Sequence, residues 1–385
     1  MPRLIAFYLP QYHPVPENDE WWGKGFTEWT NVAQAKPLFR DHWQPHIPAD
    51  LGYYDLRLPE TRAAQADMAR EFGIDAFCYY HYWFAGKRIL ERPFNEVLNS
   101  GKPDFPFCLC WANENWTRTW DGGDRHVLLG QNYTRDDDLD HIRSLLPALR
   151  DQRYVRINGK ALLLVYRTEL LPNPANTAEM WRAEARRSGV GELYLVRVEG
   201  FTSGISPQSI GFDAAMEFAP DWRHRGAAKH RGRWQERMAG FGLSPKVFFE
   251  HDVVEYGDLV TNMLAKPDPS YPRFHCVTPG FDNSARRKRN ATIFINSTPD
   301  SYGNWLKETL TRTRAKFRDD EQLVFINAWN EWGEGNHLEP DLRWGRAYLE
   351  ATRRAIDSHP SDRSKSIPDH LSLFPASEGS VYELA

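Results

Sequence analysis

The sequence predicts an α/β protein folded as one (β/α)8 TIM barrel with long βα loops, and three observations predict it. Eight short apolar runs alternate with longer stretches of helical periodicity, the pattern of a parallel sheet with crossover helices. The turn after the first run reads YLPQYHP, with none of the glycines that an open, nucleotide-binding sheet carries there. Polar and aromatic residues gather just past the runs, where a barrel places its chemistry.

The elements follow in order. Residues 4–10 (LIAFYLP) form the first strand and lead into Gln11, Tyr12 and His13. A long loop over about 11–58 holds Trp21, Trp22, Glu28, Trp29, Trp43 and His46, and its length predicts a lid or subsite wall. A helix over 60–72 precedes the strand 74–80 (IDAFCYY), which delivers Tyr80, His81, Tyr82 and Trp83. A weaker helical pattern near 87–99 leads to the strand 105–111 (FPFCLCW), ending at Trp111, Asn113, Glu114, Asn115 and Trp116. A helix over 134–150, the strand 161–166 (ALLLVY) and a helix over 176–189 come next. The strand 193–198 (LYLVRV) ends at Glu199, and the strand 214–218 (AAMEF) contains Glu217. A weaker helix near 229–239 precedes the strand 274–278 (FHCVT), with Asp282 and Asn283 beyond it. A helix over 301–317, the strand 322–329 (QLVFINAW) and a helix over 343–357 close a catalytic domain of residues 1–357. Residues 358–385, rich in serine and proline, read as a tail or linker.

Composition narrows the function. With 41% hydrophobic, 26% charged and 14% aromatic residues the chain can bury a large core. A net charge of -4, with both signs interspersed, gives no field to attract nucleic acid or anionic membrane. The apolar start is too short for a signal peptide or a membrane span, so a cytoplasmic location is expected. The four cysteines sit in apolar runs without metal-ligand spacing and read as core thiols; no metal or cofactor is expected. Oligomeric state leaves no mark. Many of the 15 tryptophans stand beside Asn, Glu, Asp or Gly, as on a sugar-stacking surface.

The segment AWNEWGEGN, after the eighth strand, carries Glu331 and Glu334 three residues apart, so both can project to one side. Paired carboxylates are what glycosidic cleavage needs, one to protonate the leaving oxygen and one to assist at the sugar. The charge of one raises the pKa of the other. Trp111, Asn113, Glu114 and Trp116 at strand three, Glu217 at strand six, and Asn330 and Trp332 beside the pair are candidate substrate contacts. So are Tyr12, His13, Trp43, His46, Tyr80, His81 and Tyr82. Glu199 and Glu217 read equally well as ion-pair partners of arginines. Asp136, Asp137 and Asp138 suit a helix N-terminus after Thr134 better than a nucleotide-sugar site. The basic stretches 223–237 and 286–289 read as solvated faces, with a grip on anionic glycan groups as the alternative.

FYLPQYHPVPENDEWWGKGFTEWTNV, FCYYHYWF, CWANENWTRTWDG and AWNEWGEG together resemble the WbsX-type family of polysaccharide-biosynthesis proteins, related to glycoside hydrolase family 99, over residues 3–357. The resemblance implies a (β/α)8 barrel whose hydrolase relatives are retaining endo-α-mannosidases and α-mannanases. It implies that Glu331 deprotonates the substrate 2-hydroxyl, which attacks its own anomeric carbon to give a 1,2-anhydro sugar, and that Glu334 is the general acid and base. The first-loop motif and the tryptophan-rich segment after strand three differ from the hydrolases, and WbsX-type proteins are labelled glycosyltransferases. Sugar transfer in O-antigen or other surface-polysaccharide biosynthesis is therefore the alternative to cleavage, and a non-catalytic carbohydrate-binding protein the second. The expected partner is an oligo- or polysaccharide.

Overall fold

A run of consecutive apolar residues has no face to turn toward water, so a sheet of such runs must be covered on both sides and paired on both edges. The computed structural model, which describes residues 1–118, 123–229, 237–238, 241 and 246–359, meets this demand by closing the sheet. The strands are β1 (Arg3–Tyr8), β2 (Ala76–Phe84), β3 (Phe107–Trp111), β4 (Lys160–Val165), β5 (Leu193–Glu199), β6 (Ala214–Glu217), β7 (Arg273–Val277) and β8 (Leu323–Ile326). Each pairs in parallel with the next. Ile5 on β1 faces both Ala76 on β2 and Phe325 on β8, so the ring has no free edge.

Two short helices, α1 (Pro16–Trp22) and α2 (Glu28–Gln34), lie in the first loop. The outer helices are α3 (Pro59–Glu71), α4 (Arg92–Ser100), α5 (Arg135–Arg150), α6 (Pro174–Arg187), α7 (Tyr256–Ala265), α8 (Pro299–Lys316) and α9 (Ala347–Asp357). The helical pattern near 87–99 splits: Lys87–Ile89 folds back on β2, with Ile89 opposite Tyr82, and α4 starts only where Pro93 suits a first turn. Most of the helix expected near 229–239, and nearly all of the tail after 358, lie outside the described residues. The helix that precedes β7 is α7, whose short pattern sequence reasoning missed.

Thr134 caps α5 by accepting the Asp137 N–H. Asp137 accepts a hydrogen bond from Trp83 Nε1 at 2.9 Å and Asp138 one from the Thr177 hydroxyl at 2.6 Å, so the acidic run is spent on helix packing. Cys78, Cys108, Cys110 and Cys276 are buried thiols. Inside the barrel, Phe7 meets Tyr80, Phe218 and Phe325 at centroid distances of 5.2, 6.0 and 5.9 Å. Tyr166 joins Tyr80 and Phe218 at 6.1 and 5.4 Å, and this aromatic layer seals the strand C-terminal end.

Candidate active site

Above that layer the loops enclose a cavity of about 640 Å3. Tyr80, Tyr166 and Phe218 contribute to its floor, and Trp21 and Trp22 of α1, Trp222 and Phe281 to its walls. Trp116 reaches it from an antiparallel pair, Trp116–Arg118 with Gly123–Leu129, inserted after β3.

The charged groups converge at one place. Beyond β8 the residues Asn330–Glu331 pair antiparallel with Asn336–His337, and a 3-10 turn, Trp332–Glu334, joins them. In a 3-10 turn positions i and i+3 eclipse, which puts Glu331 and Glu334 side by side. Both bind one guanidinium: Arg286 Nη2 donates to Glu331 at 2.5 Å and Nη1 lies 2.9 Å from Glu334. Arg286 Nε donates to Glu28 of α2 at 2.8 Å. Arg286 follows a short turn, Asn283–Ala285, capped by Asp282, whose own N–H donates to the Glu334 carbonyl at 2.6 Å. His42 and Gln44 of the first loop hold the Asp282 carboxylate at 2.7 and 2.9 Å.

Three carboxylates around one cation leave surplus negative charge in a buried place, so the cluster keeps a proton near neutrality. Burial, reinforced by Glu334 and Glu28 against the opposing Arg286, pushes Glu331 up to about 8. Glu334 is more open, its side chain 27% exposed. A Cβ on Gly333 would come within 2.4 Å of Glu28 Oε1 and 2.7 Å of Arg286 Nε, so only glycine lets the turn approach the cluster. Gly335 has a φ of 55°, the left-handed region that ends the turn.

Residues 4–352 match the profile of the family described as Glycosyltransferase WbsX. The chain belongs to the WbsX glycosyltransferase family. Two Xanthomonas campestris pathovar campestris relatives, each named uncharacterized protein WxcX, are 45% identical over 357 residues, which is 93% of this chain and 50% of theirs. This WbsX-family chain thus spans about half the length of those relatives. A GH99 endo-α-mannosidase from Bacteroides thetaiotaomicron shares the fold with a TM-score of 0.53 at 15% identity, covering 92% of this chain and 97% of its own. A structure titled glycoside hydrolase-like protein gives 0.56 at 13% identity, covering 92% and 93%.

Of the candidate catalytic and substrate-contact residues, Tyr80, Tyr82, Glu114, Trp116, Glu331 and Glu334 line the cavity, as do Trp21, Trp22 and Glu28 of the loop expected to form a wall. Glu114 is paired with Arg167, which also holds Glu169 at 2.6 Å; burial raises the Glu114 pKa against that cation. Tyr12 does not reach the cavity but clamps the turn, its hydroxyl donating to the Asn330 carbonyl at 2.8 Å and accepting the Trp332 N–H at 3.0 Å. Asn330 braces β1 through the Leu9 N–H and carbonyl. Trp332 is buried, stacked on His337 at 3.7 Å and bonded to Glu339 at 2.7 Å. His81 and Trp111 face outward onto His141 of α5, His81 Nε2 lying 2.9 Å from His141 Nε2. His13 is buried under the first loop, and burial lowers it to about 4. Asn113 orients Tyr133 and Arg167. Glu217 is an ion-pair member instead of a cavity group, with His275 at 3.1 Å and Lys266 and Arg273 at 3.6 Å. Those partners outweigh its burial and hold it near 2. Glu199 likewise pairs with Arg197 at 3.0 Å. Trp43 and His46 line a separate, smaller cleft.

Arg286 is the residue that sequence reasoning missed, because it hides in a basic run that resembles a solvated face. Strand alternation puts Tyr82 on the same face as Tyr80, so both reach the cavity, and turns His81, named with them in the sequence, away. Among the described residues no three His, Cys, Asp or Glu side chains converge as metal ligands. No helix among them is long and apolar enough to cross a membrane.

Proposed function

We propose that the protein is a carbohydrate-active enzyme that cleaves or transfers an α-linked glycoside with retention, and that Glu331 and Glu334 carry the chemistry. The observation that supports it best is their convergence on Arg286 in an aromatic-walled cavity at the strand C-terminal face.

The tryptophans and tyrosines stack the apolar faces of sugar rings. Arg286 offsets charge and holds the two carboxyls within reach of one ring. Following the family resemblance, ionised Glu331 takes the proton of the 2-hydroxyl as O2 attacks C1. The glycosidic C1–O bond breaks, and the leaving oxygen takes a proton from Glu334. Glu334 then removes a proton from the incoming hydroxyl, which attacks C1 and opens the three-membered ring while Glu331 returns its proton to O2. Two inversions give net retention. The reaction needs one proton on the pair; burial favours it on Glu331, and the first step requires it on Glu334 once substrate is bound.

The incoming hydroxyl decides the reaction class: water gives hydrolysis, a sugar gives transfer. Family membership favours transfer as the second reading. A mass-spectrometric time course with α-linked oligosaccharides, with and without nucleotide sugars, separates them. Shortened or redistributed glycans without nucleotide, absent with Glu334→Gln, are expected. Extension that requires a nucleotide donor would establish the other class, and silence in both arms would favour a binding protein.

A further inference from the structure

A cleft of about 200 Å3 lies on the other side of the Gly335 turn from the main cavity, sharing the Phe281 wall and lined by Trp43, His46, His337, Asp341, Arg343 and Trp344. Its hydrogen positions follow from one fixed acceptor. The Glu339 carbonyl can only accept, so His337 Nδ1, 2.9 Å away, carries a hydrogen. Burial keeps both histidines neutral, moving His337 well below its usual range and His46 to about 4, with the Asp282 carboxylate and, less, the Trp43 carbonyl opposing the shift at His46. His337 Nε2 is therefore a lone pair, and His46 Nδ1, 2.9 Å from it, must be the donor. That leaves His46 Nε2 as a bare acceptor on a ring fixed by Trp43 stacked at 3.7 Å. Apart from the His337 and Trp43 contacts, His46 has no hydrogen-bond partner among the described residues, although it is only 5% exposed.

Asp341 supplies a second acceptor. One oxygen takes the N–H groups of Arg343 and Trp344 at 2.7 Å each, and the other makes no hydrogen bond among the described residues. Arg343 lies over Trp43 and Trp344 at 5.0 and 5.2 Å, with no carboxylate in ion-pair range among the described residues. A guanidinium stacked in this way keeps its edge N–H groups for a ligand oxygen. The cleft therefore asks for hydroxyl hydrogens at two acceptors and an oxygen at one cation. A carboxylate brings no hydrogen for His46 Nε2, a phosphate sets its own charge against the Asp341 carboxylate, and an ammonium is repelled by Arg343. A polyol ring satisfies all three.

We propose that this cleft is a second carbohydrate site, holding a single sugar unit through hydroxyls donated to His46 and Asp341 and an oxygen facing Arg343. The proposal rests on reading the protein as carbohydrate-active, and it adds an anchoring point outside the reaction cavity. The probes are methyl α-glycosides of mannose, glucose, galactose and rhamnose, observed by saturation-transfer NMR. In a Trp116→Ala, Glu331→Gln background, which impairs the main cavity, transfer to at least one sugar is expected to persist. Adding either His46→Phe or Trp344→Ala is expected to abolish it. Thermal unfolding checks each variant, and Trp344→Ala at the rim carries the test if His46→Phe does not fold. Transfer already absent in the background, or unchanged by both cleft substitutions, overturns the site. Glycan turnover by the wild-type protein, measured separately, keeps the failure of the cleft distinct from failure of the enzymatic reading.

Discussion

At the scale of single residues, the site turns on one arginine whose three partners come from distant segments, Glu28 being 258 positions away. No pattern in the run RRKR separates Arg286 from half-buried Arg287 or from the exposed Lys288 and Arg289, so the pairing becomes visible only in three dimensions. The glutamates were legible because a strand end, two flanking tryptophans and an i, i+3 spacing coincide. Replacing Arg286 with alanine removes the cation that holds Glu331 down, so its pKa rises further and the alkaline limb of the pH–rate profile should move upward from about 8. The same change should cost about 10²–10³-fold in kcat. A limb that stays in place would mean that Arg286 has no electrostatic hold on Glu331. Gly333→Ala presses a Cβ against Glu28 and Arg286 and should lower kcat on the order of 10²-fold without unfolding the protein, as circular dichroism and initial rates would show together.

At the scale of elements, all eight barrel strands were legible, since continuous apolar runs bounded by polar residues are what a strand buried on both faces requires. Which residue at a strand end faces inward was harder to see, because each strand leaves the barrel at its own pleat phase. Tyr80 and Tyr82 point into the cavity, whereas His81 and Trp111 pack against α5. The first loop was recognisable as a wall by length and tryptophan content, but Trp29 serves as its anchor: it meets Tyr12 at 4.5 Å and Trp332 at 5.6 Å, and donates to the Tyr54 carbonyl. Trp29→Ala should therefore loosen α2 and Glu28 and destabilise the fold by about 3–5 kcal/mol in denaturant titration. Trp116→Ala, on a cavity wall, should instead raise KM with little change in stability.

At the scale of the whole molecule, the protein keeps unusual protonation states on both sides of neutrality. His13 and His46 are held near 4 and His141 near 3 by burial. The unfolded chain binds more protons than the native one between those values and 6.5, so stability falls as pH drops through that window. Glu331 and Glu339, raised to about 8 and 7 by burial, act in the opposite sense: the native state binds the extra protons, and stability falls as pH rises through 4.5 to 8. The histidines shifted far down by burial, His81 and His337 among them, outnumber the carboxyls shifted far up, Glu331, Glu339 and Asp341, so Tm should peak near neutrality and fall toward pH 5 and more gently toward pH 8.5. A Tm that climbs steadily from pH 7 to pH 5 would contradict this balance. The most direct test is the turnover of a glycan substrate by wild type, Glu331→Gln and Glu334→Gln, with glycan binding measured in parallel. Each substitution should lower kcat by about 10²–10⁴-fold while binding is retained, and either variant working at close to the wild-type rate would contradict the assignment of the chemistry to this pair.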